Sequence, residues 1–190
     1  MNESLFCSLL KEHGIEYSEN VPMSAHTTFR IGGNAAYYLL PDSEEKLCRA
    51  VDACNDAGVR HVVLGRGSNV LFDDAGYSGA VISTEKLNRI TVSESKLICS
   101  CGASFTQCAA AARDASLSGL EFAYGIPGAV GGAVYMNAGA YGGEVSQVLK
   151  ESTYYETKSR SVCTIPLTEH KYGYRESVYR DCPERLILSA

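Results

Sequence analysis

No cluster of lysine or arginine occurs anywhere in this chain, and its formal charge at pH 7 is −5. Neutralising a phosphate backbone takes a basic patch, so general nucleic-acid binding is excluded. Nor does the chain open on a positively charged segment followed by an apolar run. The start, MNESLFCSLLKEHG, reads as a short amphipathic helix that signals neither export nor transit, and a cytoplasmic protein is expected. The charge-free run from Phe122 to Gly143 is long enough for a membrane span, but Pro127, Asn137 and many glycines leave few Leu, Ile or Val to face lipid. Membrane insertion is therefore not expected. The eight cysteines (Cys7, Cys48, Cys54, Cys99, Cys101, Cys108, Cys163 and Cys182) form no CxxC pair and no regular framework, and they read as reduced thiols. Cys99 and Cys101 alternate on one strand face without a nearby His or second pair, so zinc lacks a ligand set. His13, His26, His61 and His170 are isolated from one another and form no HExxH pattern, which leaves them packing roles and the chain no metal site.

What is present is ordinary globular material: 45% hydrophobic and 21% charged residues over 190 positions, enough for one good-sized domain or two small ones. Residues 34 to 64 read as strand, helix, strand. AAYYLLP is apolar and aromatic, SEEKLCRAVDACNDAG has helical spacing, and HVVL is a short buried strand. Asp42 followed by Glu45 resembles a capping box, and Leu47, Ala50, Val51 and Cys54 form the apolar face before Gly58 ends the helix. Downstream, GAVIS, NRITVS and KLICSC are strand-like. Ser104 caps the helix FTQCAAAARDASLSG, and STYYET, RSVCTIP and RLILSA are strands again. The class is α+β. The polar turn Asp73–Gly76 divides the chain into an N-terminal helix over 1–20, a first lobe over 21–74 and a second lobe over 75–190. The final apolar strand, with no polar tail after it, reads as an unpaired edge, an aggregation hazard and a sign of truncation.

Two glycine loops carry the chemistry. Gly125–Gly143, GIPGAVGGAVYMNAGAYGG, holds seven glycines in nineteen residues and no charge, with Ile126, Val130, Val134, Tyr135 and Met136 interleaved. A flexible surface linker would be polar, so this segment packs, and its glycines allow a ligand to approach main-chain amides directly. Gly65-Arg66-Gly67-Ser68-Asn69 lies between HVVL and the apolar run Val70-Leu71-Phe72, a placement suited to an anion-binding turn. Pro127-Gly128 reads as a helix start whose dipole adds to anion binding. Neither loop has the GxGxxG or GxxxxGK[ST] register, so Rossmann and P-loop readings fail. A third constellation, His170-Lys171-Tyr172-Gly173-Tyr174-Arg175-Glu176-Ser177, offers a hydroxyl, an aromatic face and a planar cation suited to carboxylate. Its bland reading is a surface hairpin in which Arg175 pairs with Glu176 or Asp181.

Taken in order, HTTFRIGG (26–33), LGRGSNVL (64–71), GIPGAVGGAVYMNAGAYGGE (125–144) and YGYRESVY (172–179) closely resemble the UDP-N-acetylenolpyruvoylglucosamine reductase family. The resemblance covers the chain from about Asn20 onward. It implies a two-lobed FAD-binding fold of the vanillyl-alcohol-oxidase type in a flavoenzyme of peptidoglycan precursor synthesis. NADPH is the implied hydride donor, and UDP-N-acetylglucosamine enolpyruvate, reduced to UDP-N-acetylmuramate, is the implied substrate. By motif, Arg175 corresponds to the catalytic arginine at the substrate carboxylate and Tyr174 to a tyrosine near substrate and nicotinamide. Gly65, Arg66, Gly67, Ser68 and Asn69, together with Gly125, Ile126, Pro127, Gly128, Ala129, Gly131, Gly132, Asn137, Ala138 and Gly139, correspond to segments around FAD. His26, Thr27 and Thr28 fall in a motif near the flavin.

The family also continues for about another domain's length, with a substrate domain that carries a protonating serine and an assisting glutamate. Neither has a counterpart before Ala190, and a missing general acid costs roughly 10²- to 10⁴-fold, so turnover by this chain alone is expected to be poor or absent. Two other readings stay open: a different flavin oxidoreductase of the same fold, of the hydroxy-acid oxidase type, and a non-catalytic nucleotide-binding module.

Overall fold

The computed structural model describes residues 2–190, and the helical spacing of the opening segment is realised there as α1 (Glu3–Glu12). The Asn2 side chain caps it by accepting from the Leu5 amide at 3.1 Å, and Phe6 and Leu10, one turn apart, form its buried face. The helix expected over 1–20 ends there. After Gly14 the chain becomes strand β1 (Glu16–Pro22), which is largely exposed and gains its order by pairing antiparallel with β2 (Asn34–Leu40). That partner lies outside any local window, so β1 has little signature of its own.

Helix α2 (Glu44–Asp56) buries Leu47, Ala50, Val51 and Cys54, as its spacing requires. Its cap is shifted by one residue from the expected capping box. Ser43 accepts from the Lys46 amide at 3.2 Å, while Asp42 pairs with the Lys46 ammonium at 2.9 Å. Strands β3 (His61–Leu64) and β4 (Tyr77–Ser83) complete a sheet of order β1-β2-β4-β3, with β4 parallel to both of its neighbours. The strand–helix–strand unit is therefore a crossover that leaves a gap, filled by β4, whose residues Gly79–Ser83 are buried. Val70–Phe72 forms no strand; Leu71 is exposed and Phe72 joins Met23, Ala35, Tyr38, Leu64 and Val81 in one core cluster.

Two compact units divide the chain, one ending at Leu87 and the other beginning at Asn88. The division falls after β4 and not at Asp73–Gly76, because β4 is a central strand of the first unit's sheet and cannot be parted from it.

The second unit begins with the hairpin β5 (Ile90–Ser93) and β6 (Lys96–Cys99), followed by α3 (Phe105–Asp114), whose cap is Ser104 as read from sequence. Next come α4 (Val130–Tyr135) and a two-residue ladder of β7 (Gly139–Ala140) with β8 (Gly143–Glu144). Strands β9 (Glu151–Glu156) and β10 (Ser161–Pro166), the short helix α5 (Val178–Asp181) and β11 (Arg185–Ser189) follow. Their sheet has the order β10-β9-β11. The far side of β11 is not a bare edge: Cys101 N–H donates to Leu188 O at 2.8 Å, and Cys99 and Ala190 exchange bonds at 2.8 and 3.0 Å. No helix among the described residues is long and apolar enough to cross a membrane, and the eight cysteines are all free thiols.

The shifted cap is testable. Ser43→Ala should destabilise the first unit by about 1 kcal/mol in urea titration, whereas Asp42→Ala, which touches only an exposed pair, should move the midpoint much less.

Candidate functional site

In the first unit the HTTFRIGG segment and the Gly65–Asn69 loop are brought into contact. Thr28 N–H donates to Gly67 O at 2.9 Å, and Thr27 Oγ1 closes its own turn on Ile31 O at 3.1 Å. Gly67 has φ +63°, and a Cβ there would lie 2.1 Å from the His26 carbonyl oxygen, so both conformation and space demand glycine. The result is a groove of about 430 Å³ lined by His26, Thr27, Thr28, Arg30, Tyr38, Gly65, Arg66 and Glu85, with the His26 ring 4.1 Å from that of Tyr38. The amides of Arg66, Gly67, Ser68 and Asn69 donate to no other group among the described residues. Four successive N–H groups are thus left without a protein acceptor, as the anion-binding turn expected from sequence requires.

The second unit treats its glycine segment differently. Phe105 N–H and Thr106 Oγ1 donate to the carbonyls of Gly128 and Ile126 at 2.9 and 3.2 Å, while Val130 and Gly131 N–H donate to Ala103 and Cys101 carbonyls at 2.9 and 2.8 Å. Helix α4 therefore starts at Val130, not at Pro127-Gly128, and its first two amides are already spent; an added dipole contribution at that end is not available. The amides of Gly125, Gly128 and Gly132 remain uncommitted among the described residues. At Gly132 a Cβ would meet nothing within 4 Å and φ is not positive, so neither strain nor protein packing accounts for the missing side chain.

The same unit seats the tyrosine–arginine motif on this segment. Arg175, at φ +58°, donates from Nη2 to Gly139 O at 2.9 Å, and its guanidinium carbon lies 5.6 Å from the centre of the exposed Tyr174 ring. The surface hairpin of the bland reading is present, with Gly173 and Glu176 exchanging backbone bonds at 3.3 Å, but among the described residues Arg175 is anchored on Gly139 O and not ion-paired with Glu176 or Asp181. Asn137 is almost fully buried: its Nδ2 donates to Gly173 O at 3.0 Å and its Oδ1 accepts from Ser146 N–H at 2.9 Å. Its side chain is thus committed to holding the loop, as Ser177 is through Oγ on Tyr135 O at 2.7 Å. Glu144, which sequence reasoning did not single out, has its carboxyl held low by hydrogen bonds from Ser146 and Asn137, with the Arg175 charge adding to them. A second groove, of about 420 Å³ beside α3, contains none of the motif residues.

Residues 35–155 match the family model described as FAD binding domain, which covers more than half of the chain. The chain belongs to the FAD binding domain family. Its curated relatives include UDP-N-acetylenolpyruvoylglucosamine reductases, at 38% identity over 179 residues in Caldicellulosiruptor bescii and 44% over 160 residues in Pseudothermotoga lettingae. These alignments take in 94% and 84% of this chain but 56% and 54% of the relatives, so the chain spans about half their length. The reductase from Thermus caldophilus superposes with a TM-score of 0.74 at 29% identity, over 92% of this chain and 60% of that one. The BBE-like 1 protein of Physcomitrella patens, with a TM-score of 0.69 at 14% identity over 97% of this chain and 43% of its own, shares the fold alone. The α+β class and the flavoprotein fold type implied by the four motifs both hold.

The residues present fit the group for which the family is named. The four amides at Arg66–Asn69 suit a diphosphate, and Gly132 is exposed with open space where its side chain would stand, which leaves room for a flat ring system. Behind the tyrosine–arginine loop lies a second set that sequence did not reveal. His170 Nε2 is 2.7 Å from Ser152 Oγ, which is 2.6 Å from Tyr179 OH, and these residues are 0%, 0% and 1% exposed. No motif spacing joins them, and only the fold does.

Gly67→Ala should unfold or severely destabilise the first unit, by several times the roughly 1 kcal/mol cost of a left-handed alanine, as read by thermal denaturation. Burial also holds His170 and His61 below the ordinary imidazole value of 6.5, with bonds to the Pro166 and Val59 carbonyls opposing it. Because the unfolded chain then takes up protons first, their contribution is whole above pH 6.5 and is lost as pH falls through the folded values. Glu169 is the charged neighbour that tempers the His170 effect. His170→Gln should flatten part of the fall in urea midpoint between about pH 7.5 and 5, leaving the share due to His61.

Proposed function

We propose that this chain is the FAD-binding portion of a UDP-N-acetylenolpyruvoylglucosamine reductase. In this reading it works in the cytoplasm, in peptidoglycan precursor synthesis, where NADPH drives reduction of UDP-N-acetylglucosamine enolpyruvate to UDP-N-acetylmuramate. The observation that carries the reading is the row of uncommitted amides at Arg66–Asn69, in a chain 38% identical over 179 residues to a relative of that name. Bound FAD would supply the two-electron carrier between nicotinamide and the enolpyruvyl carbon. Gly65–Asn69 would hold its diphosphate; Gly125–Gly132 and Asn137–Gly139 would line the approach of its ring.

Arg175 is the residue assigned to the reaction itself. One of its N–H groups is taken by Gly139 O, which aims the planar fork and leaves its other donors for a carboxylate. A bidentate guanidinium stabilises charge developing next to that carboxylate better than the point charge of lysine. Tyr174, exposed beside it, presents a hydroxyl for substrate or nicotinamide.

The direct test is a titration of the purified chain with FAD, followed by flavin fluorescence and visible absorbance. Gly132→Ala makes it decisive, because alanine in a helix is about 1 kcal/mol more favourable than glycine, so the variant should keep or raise its melting temperature while binding FAD about tenfold or more weakly. Equal affinity in the variant, or no binding by either this chain or a version extended to the relatives' length, would overturn the reading. In that longer protein Arg175→Lys should retain FAD and lose roughly 10²-fold or more in enolpyruvyl reduction, measured as NADPH consumption.

A further inference from the structure

The tyrosine–arginine loop has a base. His170 opens it and Val178 and Tyr179 close it, and the two ends are joined by Val178 N–H donating to His170 O at 2.7 Å. Both ends also converge on Ser152 of β9, through His170 Nε2 at 2.7 Å and Tyr179 OH at 2.6 Å. The direction of each bond follows from chemistry. His170 Nδ1 lies 2.9 Å from Pro166 O, and a carbonyl only accepts, so Nδ1 carries the proton. In the neutral ring Nε2 then accepts from the Ser152 hydroxyl, whose oxygen in turn accepts from Tyr179 OH. Every polar atom of the chain of bonds is satisfied with one arrangement of hydrogens.

Between these ends the loop holds two non-glycine residues in the left-handed region, Lys171 at φ +51° and Arg175 at φ +58°. Such positions persist where the surroundings over-determine them. Tyr172 stacks on the His170 ring, 5.1 Å away and 20° from parallel, so the bond relay also supports the first residues of the loop from below. Above this base the loop is tied to the glycine segment by Arg175 on Gly139 O, Asn137 on Gly173 O and Ser177 on Tyr135 O, and Arg180 Nη1 donates to Arg175 O at 3.1 Å. A loop stapled at its base as well has one setting for the guanidinium.

We propose that Ser152, His170 and Tyr179 are positioning residues that fix Arg175 in the orientation its carboxylate-binding role requires. The proposal rests on the assignment of Arg175 given above, but its test does not require substrate. Amide hydrogen exchange and the guanidinium N–H resonances of Arg175, identified with Arg175→Lys, are to be followed in the isotopically labelled chain. In Ser152→Ala, amides of Gly173–Ser177 should exchange about tenfold faster, and the Arg175 resonance should shift or broaden, while amides of β9, β10 and α3 stay within about twofold of wild type. Tyr179→Phe, which keeps the ring and removes only one donor, should move the same signals in the same direction by about threefold, and it decides the matter if Ser152→Ala does not fold.

An unchanged Arg175 resonance, or uniform acceleration across the whole second unit, would overturn the proposal; the latter is what a purely structural core network gives. The FAD titration on the same samples separates the two readings. Wild-type protein that fails to bind FAD, alongside variants that loosen the loop, would leave the clamp standing and remove the flavin assignment.

Discussion

Main chain laid directly against main chain is the contact on which both candidate binding loops depend. Gly67 sits against the His26 carbonyl so closely that a methyl group would lie 2.1 Å from its oxygen, and Gly139 stands in the same relation to Gly143 O, at 2.6 Å. A backbone packed this tightly has no room for side chains to satisfy it. Its polar groups must either bond to one another or face outward, and a buried or semi-buried amide left without a partner is costly until something arrives to accept from it. The N–H groups at Arg66–Asn69, which have no acceptor among the described residues, are the ones this packing leaves over.

The two units use the constraint in different ways. In the first, successive amides are left uncommitted while Thr28 and Thr27 secure the neighbouring turn. In the second, the carbonyls of Ile126 and Gly128 and the amides of Val130 and Gly131 are all tied to α3 and to residues 101–103, so the glycine segment becomes a rigid ledge. Flexibility is what glycine offers an isolated peptide; here the hydrogen bonds around it remove that freedom and retain only its small size. Asn137 shows the same economy, taking a left-handed φ of +44° and using both ends of its amide to hold other segments.

Much of this was legible from sequence where the signal was local. The apolar face of α2, the Ser104 cap of α3 and strands β2, β3 and β9 all arise from periodicity or from a residue type at a terminus, and the structure reproduces them, although β3, expected to be buried, buries only Leu64 and exposes Val63. What escaped was set by partners distant in sequence. β1 is ordered by β2; β4 enters between β2 and β3, which moves the division of the chain past Leu87; α4 starts late because Ala103 and Cys101 claim its first amides. The site followed the same rule. Motif order pointed to Arg175 and the glycine loops as candidates, whereas Ser152, His170 and Tyr179 share no spacing and meet only once β9 and the loop base have come together.

The double pairing of β11 has a bearing on synthesis. Leu188 and Ala190 bond to Cys101 and Cys99, so this strand is flanked on one side by β9 and on the other by residues near the start of the same unit. Contacts spanning nearly a whole unit close late and slowly, since loop entropy must be overcome before they form. On the ribosome, the first unit has all its strands in hand once Ser83 has emerged, whereas β6 and β9 of the second stay unsealed until β11 has followed them out.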